Sequence, residues 1–64
     1  MQNRAQDFKV GQRVQWAPWT DSFMRGDRWG EVTRITSKRV WVQSDKTGRE
    51  RSVHPINLRN ESGF

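Results

Sequence analysis

The clearest alternation of apolar and polar positions runs from Gly26 to Val42, where two apolar runs flank a short polar break. Val40 and Val42 in the second run are spaced as in a half-buried strand, where alternate side chains share a face. In the first run, Val32 and Ile35 are three positions apart, so both face one side only if a β-bulge or strong coiling of the strand lies between them. The pattern therefore predicts a central β-hairpin with a bulge or strong coiling in its first strand.

Further strands are predicted before and after this hairpin. Val14 and Trp16 alternate with polar residues, which predicts a strand over residues 13–17 with Trp16 in the core. Pro18 ends that strand, since proline cannot donate to a ladder. The elements predicted after it are a loop over 18–28, strands over 29–36 and 39–44, a turn over 45–48, a strand over 49–54, a 3-10 turn over 55–57 and a closing strand over 58–60. The predicted domain covers residues 8–60, with flexible tails at 1–7 and 61–64.

The order of these elements resembles the SH3-like barrels of the KOW and Tudor type. The resemblance covers residues 8–59 and rests on Val10-Gly11-x-Arg13-Val14, Gly30-x-Val32-x-x-Ile35 and Val40-x-Val42. It implies an all-β fold, namely a small five-stranded SH3-like barrel with a long first loop and a 3-10 turn before the last strand. It also implies a domain that binds RNA, DNA or protein through its loops and one open sheet face. Unlike a strict KOW element, this chain has a longer, aromatic-rich stretch before Gly30.

The charge of the chain favours an acidic partner. Twelve Lys and Arg residues stand against seven Asp and Glu, for a net charge of +5, and nine of the twelve cations are Arg. The guanidinium fork grips phosphate and stacks on bases, so this composition is typical of a nucleic-acid-binding module. The alternative is that the charge only keeps a small domain soluble. Both interpretations stay open on composition alone.

Several function classes lack the residues that they need. The chain has no Cys, so disulfides and thiolate metal sites are excluded, and the single His54 cannot build a zinc site. No nucleophile elbow and no phosphate-binding loop motif is present, and we expect neither an enzyme nor a cofactor. No apolar run of 18 residues and no signal-like N-terminus is present, so we expect a cytoplasmic protein without a membrane partner.

Exposed aromatic rings beside arginines are the candidate chemistry. If Val40 and Val42 face inward, then Trp41 faces outward with Arg39. A ring and a cation on one surface combine base stacking with phosphate attraction, and the aromatic loop and the basic turn after the hairpin add similar groups. The predicted nucleic-acid-binding residues are Trp41, Arg39, Arg25, Arg28, Trp29, Trp19, Lys46 and Arg49.

Other interpretations of the same residues stay open. Trp41 could stack on an arginine within the sheet and serve only the fold. The aromatic loop could be a lid on the core, a methyl-lysine cage, or a docking site for a larger enzyme or polymerase. In the docking interpretation the protein-binding residues are Trp19, Phe23, Met24 and Trp29. We expect a monomer, and the sequence does not distinguish DNA from RNA.

Overall fold

The computed structural model describes residues 4–60 and consists mainly of β-strands. The strands are β1 (Arg13–Trp16), β2 (Trp29–Ile35), β3 (Val40–Ser44), β4 (Glu50–Val53) and β5 (Leu58–Asn60). They form one antiparallel sheet in the order β4-β3-β2-β1-β5, and a 3-10 turn (Pro55–Asn57) precedes β5. The all-β, five-stranded prediction is confirmed, including its 3-10 turn. Closure of the sheet into an SH3-like barrel stays a prediction, because β4 and β5 are the two edges of the described sheet.

Of the two predicted irregularities, a bulge or strong coiling, the structure has a bulge in β2. Val32 pairs with Val42, but the next pair is Arg34 with Trp41, so Thr33 is an extra residue on the β2 side. The Thr33 hydroxyl oxygen lies 3.3 Å from the Trp41 carbonyl oxygen, across the bulge. The extra residue turns Ile35 back toward the core, where it packs partly buried against the cluster that contains Val32.

The core lies on the concave face of this one sheet. Val14, Val32, Val40, Val42 and Leu58 are completely buried, and Trp16 is 1% exposed as predicted. Such burial on a single sheet requires the strands to curl around their shared apolar face, since no second sheet covers it within residues 4–60. Each buried Val or Leu contributes about 1.5–3 kcal/mol. The curl leaves the opposite face and the β4 edge at the surface.

The first loop differs from its prediction, because it contains one helical turn, α1 (Asp21–Met24). The Thr20 hydroxyl oxygen accepts from the Phe23 backbone N–H at 3.1 Å, which caps the N-terminus of the helix. The Thr20 hydroxyl group also donates to the Ala17 carbonyl oxygen at 2.8 Å. A single turn leaves no helical period in the sequence, so only the cap residue hints at it.

The folded body begins before residue 8. Ala5–Asp7 form a 3-10 turn, and Ala5 is 2% exposed within the core cluster, whereas the sequence placed residues 5–7 in a flexible tail. Ala5 offers one methyl group, which is too little apolar surface to stand out in a polar segment. The predicted tails at residues 1–3 and 61–64 lie outside the described residues.

Candidate nucleic-acid interface

A groove of about 640 Å³ runs beside the edge strand β4. It is lined by Trp19 and the first residues of α1, and also by Trp41 and the residues of β4. We call it the ring groove. The charged and aromatic side chains that line it are Trp16, Trp19, Asp21, Arg39, Trp41, Glu50, Arg51 and His54. Three of the residues that the sequence predicts to bind nucleic acid therefore line this groove: Trp19, Arg39 and Trp41.

Trp19 is the most exposed ring of the groove, at 59% of its surface. Its indole Nε1–H donates to the Asn57 side-chain oxygen at 3.1 Å. The Arg59 guanidinium lies over the ring, 5.5 Å from its centroid. The two contacts hold an exposed ring in one orientation, which lowers the entropy lost when a ligand stacks on it.

Trp41 is half-buried on the outer face of β3. The Arg34 guanidinium lies 4.4 Å from the ring centroid, so the expected stacking of an arginine across the hairpin is present. Neither Arg34 nor Arg59 is among the residues that line the ring groove. Each of the two rings therefore has an arginine stacked near it that is not part of the groove lining.

Arg39 connects the start of β3 to the edge strand. Its Nε–H donates to the Ser52 hydroxyl oxygen at 2.9 Å, and Nη2–H donates to the Ser52 carbonyl oxygen at 3.3 Å. These bonds fix the plane of the guanidinium group at the groove wall. Nη1 has no hydrogen bond to any group within residues 4–60, so it can donate to a ligand.

The ring groove carries both signs of charge. Arg39 and Arg51 supply cations, whereas Asp21 and Glu50 supply carboxylates. Glu50 accepts a short hydrogen bond from the Thr33 hydroxyl group, which holds that carboxylate against the bulge of β2. Carboxylates repel phosphate but accept hydrogen bonds from the amino groups of bases. The groove thus suits the base part of a nucleotide better than its phosphate.

The other predicted cations lie at the opposite end of the β3–β4 hairpin. Arg39 precedes β3 and His54 follows β4, whereas Lys46 and Arg49 flank the turn that joins the two strands. The Lys46 ammonium group donates to the Arg25 carbonyl oxygen at 2.7 Å, which joins the aromatic loop to that turn. The predicted set is therefore divided between two ends of the molecule.

Arg28 and Trp29 also lie away from the ring groove. The Arg28 guanidinium lies 4.0 Å from the Phe23 ring centroid. The Trp29 carbonyl oxygen accepts from the Asp45 N–H at 3.0 Å, which places Trp29 at the turn end. Trp29 is 37% exposed and does not line the groove. Of the two rings predicted as partners for Trp41, Trp19 lines the same groove and Trp29 does not.

An ion pair stabilises the turn end. Asp45 accepts two hydrogen bonds from the Arg13 guanidinium of β1, with Nη1 at 3.0 Å from Oδ1. These side-chain hydrogen bonds lower the pKa of Asp45 below its ordinary value. The positive charge of Arg13 also lowers this pKa, while slight desolvation opposes both effects.

The aromatic loop divides between core and surface. Phe23 packs partly buried against the core cluster, so this ring serves as a lid. Met24 is 74% exposed at the end of α1, and Trp19 is 59% exposed. Of the four residues in the docking interpretation, Trp19 and Met24 thus present the most surface.

Sequence reasoning left Arg51 and His54 out of the predicted site. His54 Nδ1 accepts from the Ile56 N–H at 3.2 Å, so the ring caps the 3-10 turn and carries its proton on Nε2. The dipeptide His54-Pro55 is a cap signature that points to this turn, but no pattern in the sequence places it beside Trp19.

Residues 4–60 include no group of three or more His, Cys, Asp or Glu residues that could hold a metal ion. Within the same range, no helix is long and apolar enough to cross a membrane. Comparisons of the chain with protein-family models, curated proteins and solved structures gave no match.

Proposed function

We propose that the protein is a small non-catalytic module that binds nucleic acid in the ring groove. The observation that carries the proposal is the meeting of Trp19 and Trp41 with Arg39 in one groove. An arginine from outside the groove lining lies over each ring, and the guanidinium of Arg39 is fixed by Ser52. Rigid rings and a fixed cation are the elements that single-stranded nucleic acid requires.

Binding would combine stacking with charge. Bases stack on Trp19 and Trp41, and each such contact contributes about 1–3 kcal/mol. Arg39 and Arg51 contact the backbone, while the net charge of +5 attracts the strand from a distance. The only α-helix within residues 4–60 has four residues, which is too short to read a major groove. The proposed module therefore tolerates many base sequences.

A tryptophan fluorescence titration tests the proposal. The probe is a mixed-sequence single-stranded oligonucleotide of about 12 nucleotides, at about 50 mM and about 200 mM salt. We expect quenching that weakens strongly at the higher salt. Trp19→Ala should lower the affinity about tenfold, as expected for the loss of one stacked base. Trp29→Ala is the matched control, because Trp29 lies outside the ring groove.

Two outcomes of this titration would contradict the proposal. If the folded protein shows no quenching at low salt, nucleic-acid binding is wrong. If Trp29→Ala weakens binding as much as Trp19→Ala, the nucleic acid binds elsewhere than in the ring groove.

A protein-docking role is the second candidate, and the exposure of Met24 and Trp19 favours it. Methionine and tryptophan beside one another suit an apolar partner surface. An interface of this kind depends little on salt, so salt dependence distinguishes the two functions. In either case we propose a cytoplasmic protein that acts as a monomer; the absence of cysteine suits such a reducing compartment.

A further inference from the structure

A second groove, of about 420 Å³, opens where three separate segments meet. They are the N-terminal 3-10 turn, the β2–β3 turn and the start of the 3-10 turn before β5. We call it the basic groove. Its polar and charged lining residues are Arg4, Gln6, Ser37, Lys38, Arg39 and His54.

The charge of the basic groove is of one sign. Arg4, Lys38 and Arg39 line it, and no carboxylate is among its described lining residues. The nearest acid of the N-terminal turn, Asp7, already accepts from the Arg4 backbone N–H at 3.0 Å. In contrast, the ring groove contains Asp21 and Glu50. An anion therefore finds a better site in the basic groove.

Donors in this groove are directed by the surrounding fold. Because His54 Nδ1 accepts from Ile56, the proton lies on Nε2, which is left to donate. Two of the Arg39 nitrogen groups are bound to Ser52, and Nη1 remains for a ligand. Lys38 lies in the tight turn closed by the Thr36 N–H bond to the Arg39 carbonyl oxygen, at 2.9 Å. The basic groove is thus lined by cationic and neutral donor residues from separate elements, and these are the kinds of group that donate to a phosphate.

The two grooves are adjacent, because Arg39 and His54 line both of them. A nucleic acid strand alternates planar bases with phosphates, and the two grooves present rings and cations side by side in the same way. A base pair held in a duplex cannot enter the ring groove without leaving its stack.

We propose that the basic groove is the phosphate-binding subsite for a single strand whose neighbouring base lies in the ring groove. This inference rests on the proposed function and adds the ligand class, single-stranded nucleic acid, and the place of its backbone. Arg4 and Lys38, which the sequence did not assign to the site, bind the phosphate together with Arg39.

The double variant Arg4→Gln/Lys38→Gln tests this inference in the full-length chain. Both side chains are exposed, so the fold should be kept, which a two-dimensional amide spectrum verifies. We expect the oligonucleotide affinity at low salt to fall about tenfold. The slope of log affinity against log salt is negative. It should become less steep by about 1.4, as expected when two phosphate contacts on a single strand are lost.

The matched control is Lys9→Gln/Arg49→Gln. It removes the same charge from exposed residues that line neither groove. If the control weakens binding as much as Arg4→Gln/Lys38→Gln, only long-range attraction is involved and the subsite is wrong. If the strand binds and neither double variant weakens it, the proposed function stands and the subsite is again wrong. A matched duplex should bind more weakly than the single strand; equal binding would contradict the ligand class.

A second probe, inorganic pyrophosphate, tests the subsite without stacking. We expect amide shifts at residues 4–6, 37–39 and 54 in the natural protein, which Arg4→Gln/Lys38→Gln abolishes. If pyrophosphate causes these shifts but no oligonucleotide binds, the anion site is supported as a site for free phosphates and the nucleic-acid function is overturned. If neither probe binds, both proposals are overturned.

Discussion

Gly30 determines how closely two strands approach in the central hairpin. It is buried and pairs with Ser44 across the β2–β3 ladder. A Cβ atom built on Gly30 would lie 2.6 Å from the Gln43 carbonyl oxygen and 2.6 Å from Val42 Cγ1. The residue is therefore glycine because of space, since its φ does not lie in the left-handed region.

Gly30→Ala should lower the free energy of unfolding by about 3 kcal/mol, because the new methyl group collides with a backbone oxygen that cannot move away alone. Urea denaturation measures this loss. Gly48→Ala is the control: Gly48 has φ +74, and an added Cβ would meet no atom within 4 Å. Its left-handed strain costs about 1 kcal/mol. Equal losses in the two variants would contradict the steric explanation.

The ion pair of Arg13 and Asp45 connects elements rather than neighbours in sequence. Arg13 belongs to β1, whereas Asp45 begins the turn after β3. β2 lies between β1 and β3 in the sheet, so the pair reaches across an intervening strand. Both side chains are partly exposed, at 42% and 49%, so the pair directs the turn more than it stabilises the whole fold.

The pH dependence of this pair has a definite sign. The folded-state pKa of Asp45 is below its ordinary value, so its contribution to stability is present above about pH 4. That contribution is lost as the pH falls further, through the folded-state pKa. A carboxyl NMR titration should show a low midpoint for Asp45, and Arg13→Gln should raise it to the ordinary value. Arg49→Gln is the control, and a midpoint unchanged by Arg13→Gln would contradict the stated cause.

At the scale of elements, the strands were predictable and the loop was not. The predicted bounds of all five strands lie within one residue of the observed ones, and the spacing of Val32 and Ile35 predicted a bulge or strong coiling at the place where the bulge lies. Helix α1 was missed because four residues complete only one turn. Within this loop, Phe23 packs against the core while Trp19 and Met24 are exposed. Because buried and exposed residues do not alternate regularly here, the sequence shows no periodic pattern.

At the scale of the whole molecule, stability is limited by size. A chain of 64 residues is expected to have a free energy of unfolding of about 3–10 kcal/mol. Leu58 is completely buried in β5 and packs in the core cluster with residues from β1 to β4. The stability lost with one such side chain is therefore a large part of the total free energy of unfolding.

Leu58→Ala should cost about 2–5 kcal/mol, because it removes buried methyl groups and leaves a cavity. Thermal and urea denaturation measure the loss. Ile56→Ala is the control, since Ile56 is 52% exposed two residues earlier. A comparable loss of stability in both variants would contradict the explanation that burial of Leu58 in the core stabilises the fold.

The site could be predicted only in part, because it is assembled from distant segments. Trp41 and Arg39 were predicted together from their spacing on one strand. His54 and Arg4 join the same surface through the fold of the chain, and no local pattern places them beside Lys38. Conversely, Lys46 and Arg49 share the composition of a phosphate site but lie at the far end of the β3–β4 hairpin.

The strand order has a consequence for how the chain folds. β1, β2 and β3 are each paired with the next strand along the chain, whereas β5 pairs with β1 and so joins the two ends of the domain. Closing that long loop costs more entropy than forming any hairpin. The β1–β5 ladder therefore forms last and opens first, and its amide protons exchange with solvent before those of the β2–β3 hairpin.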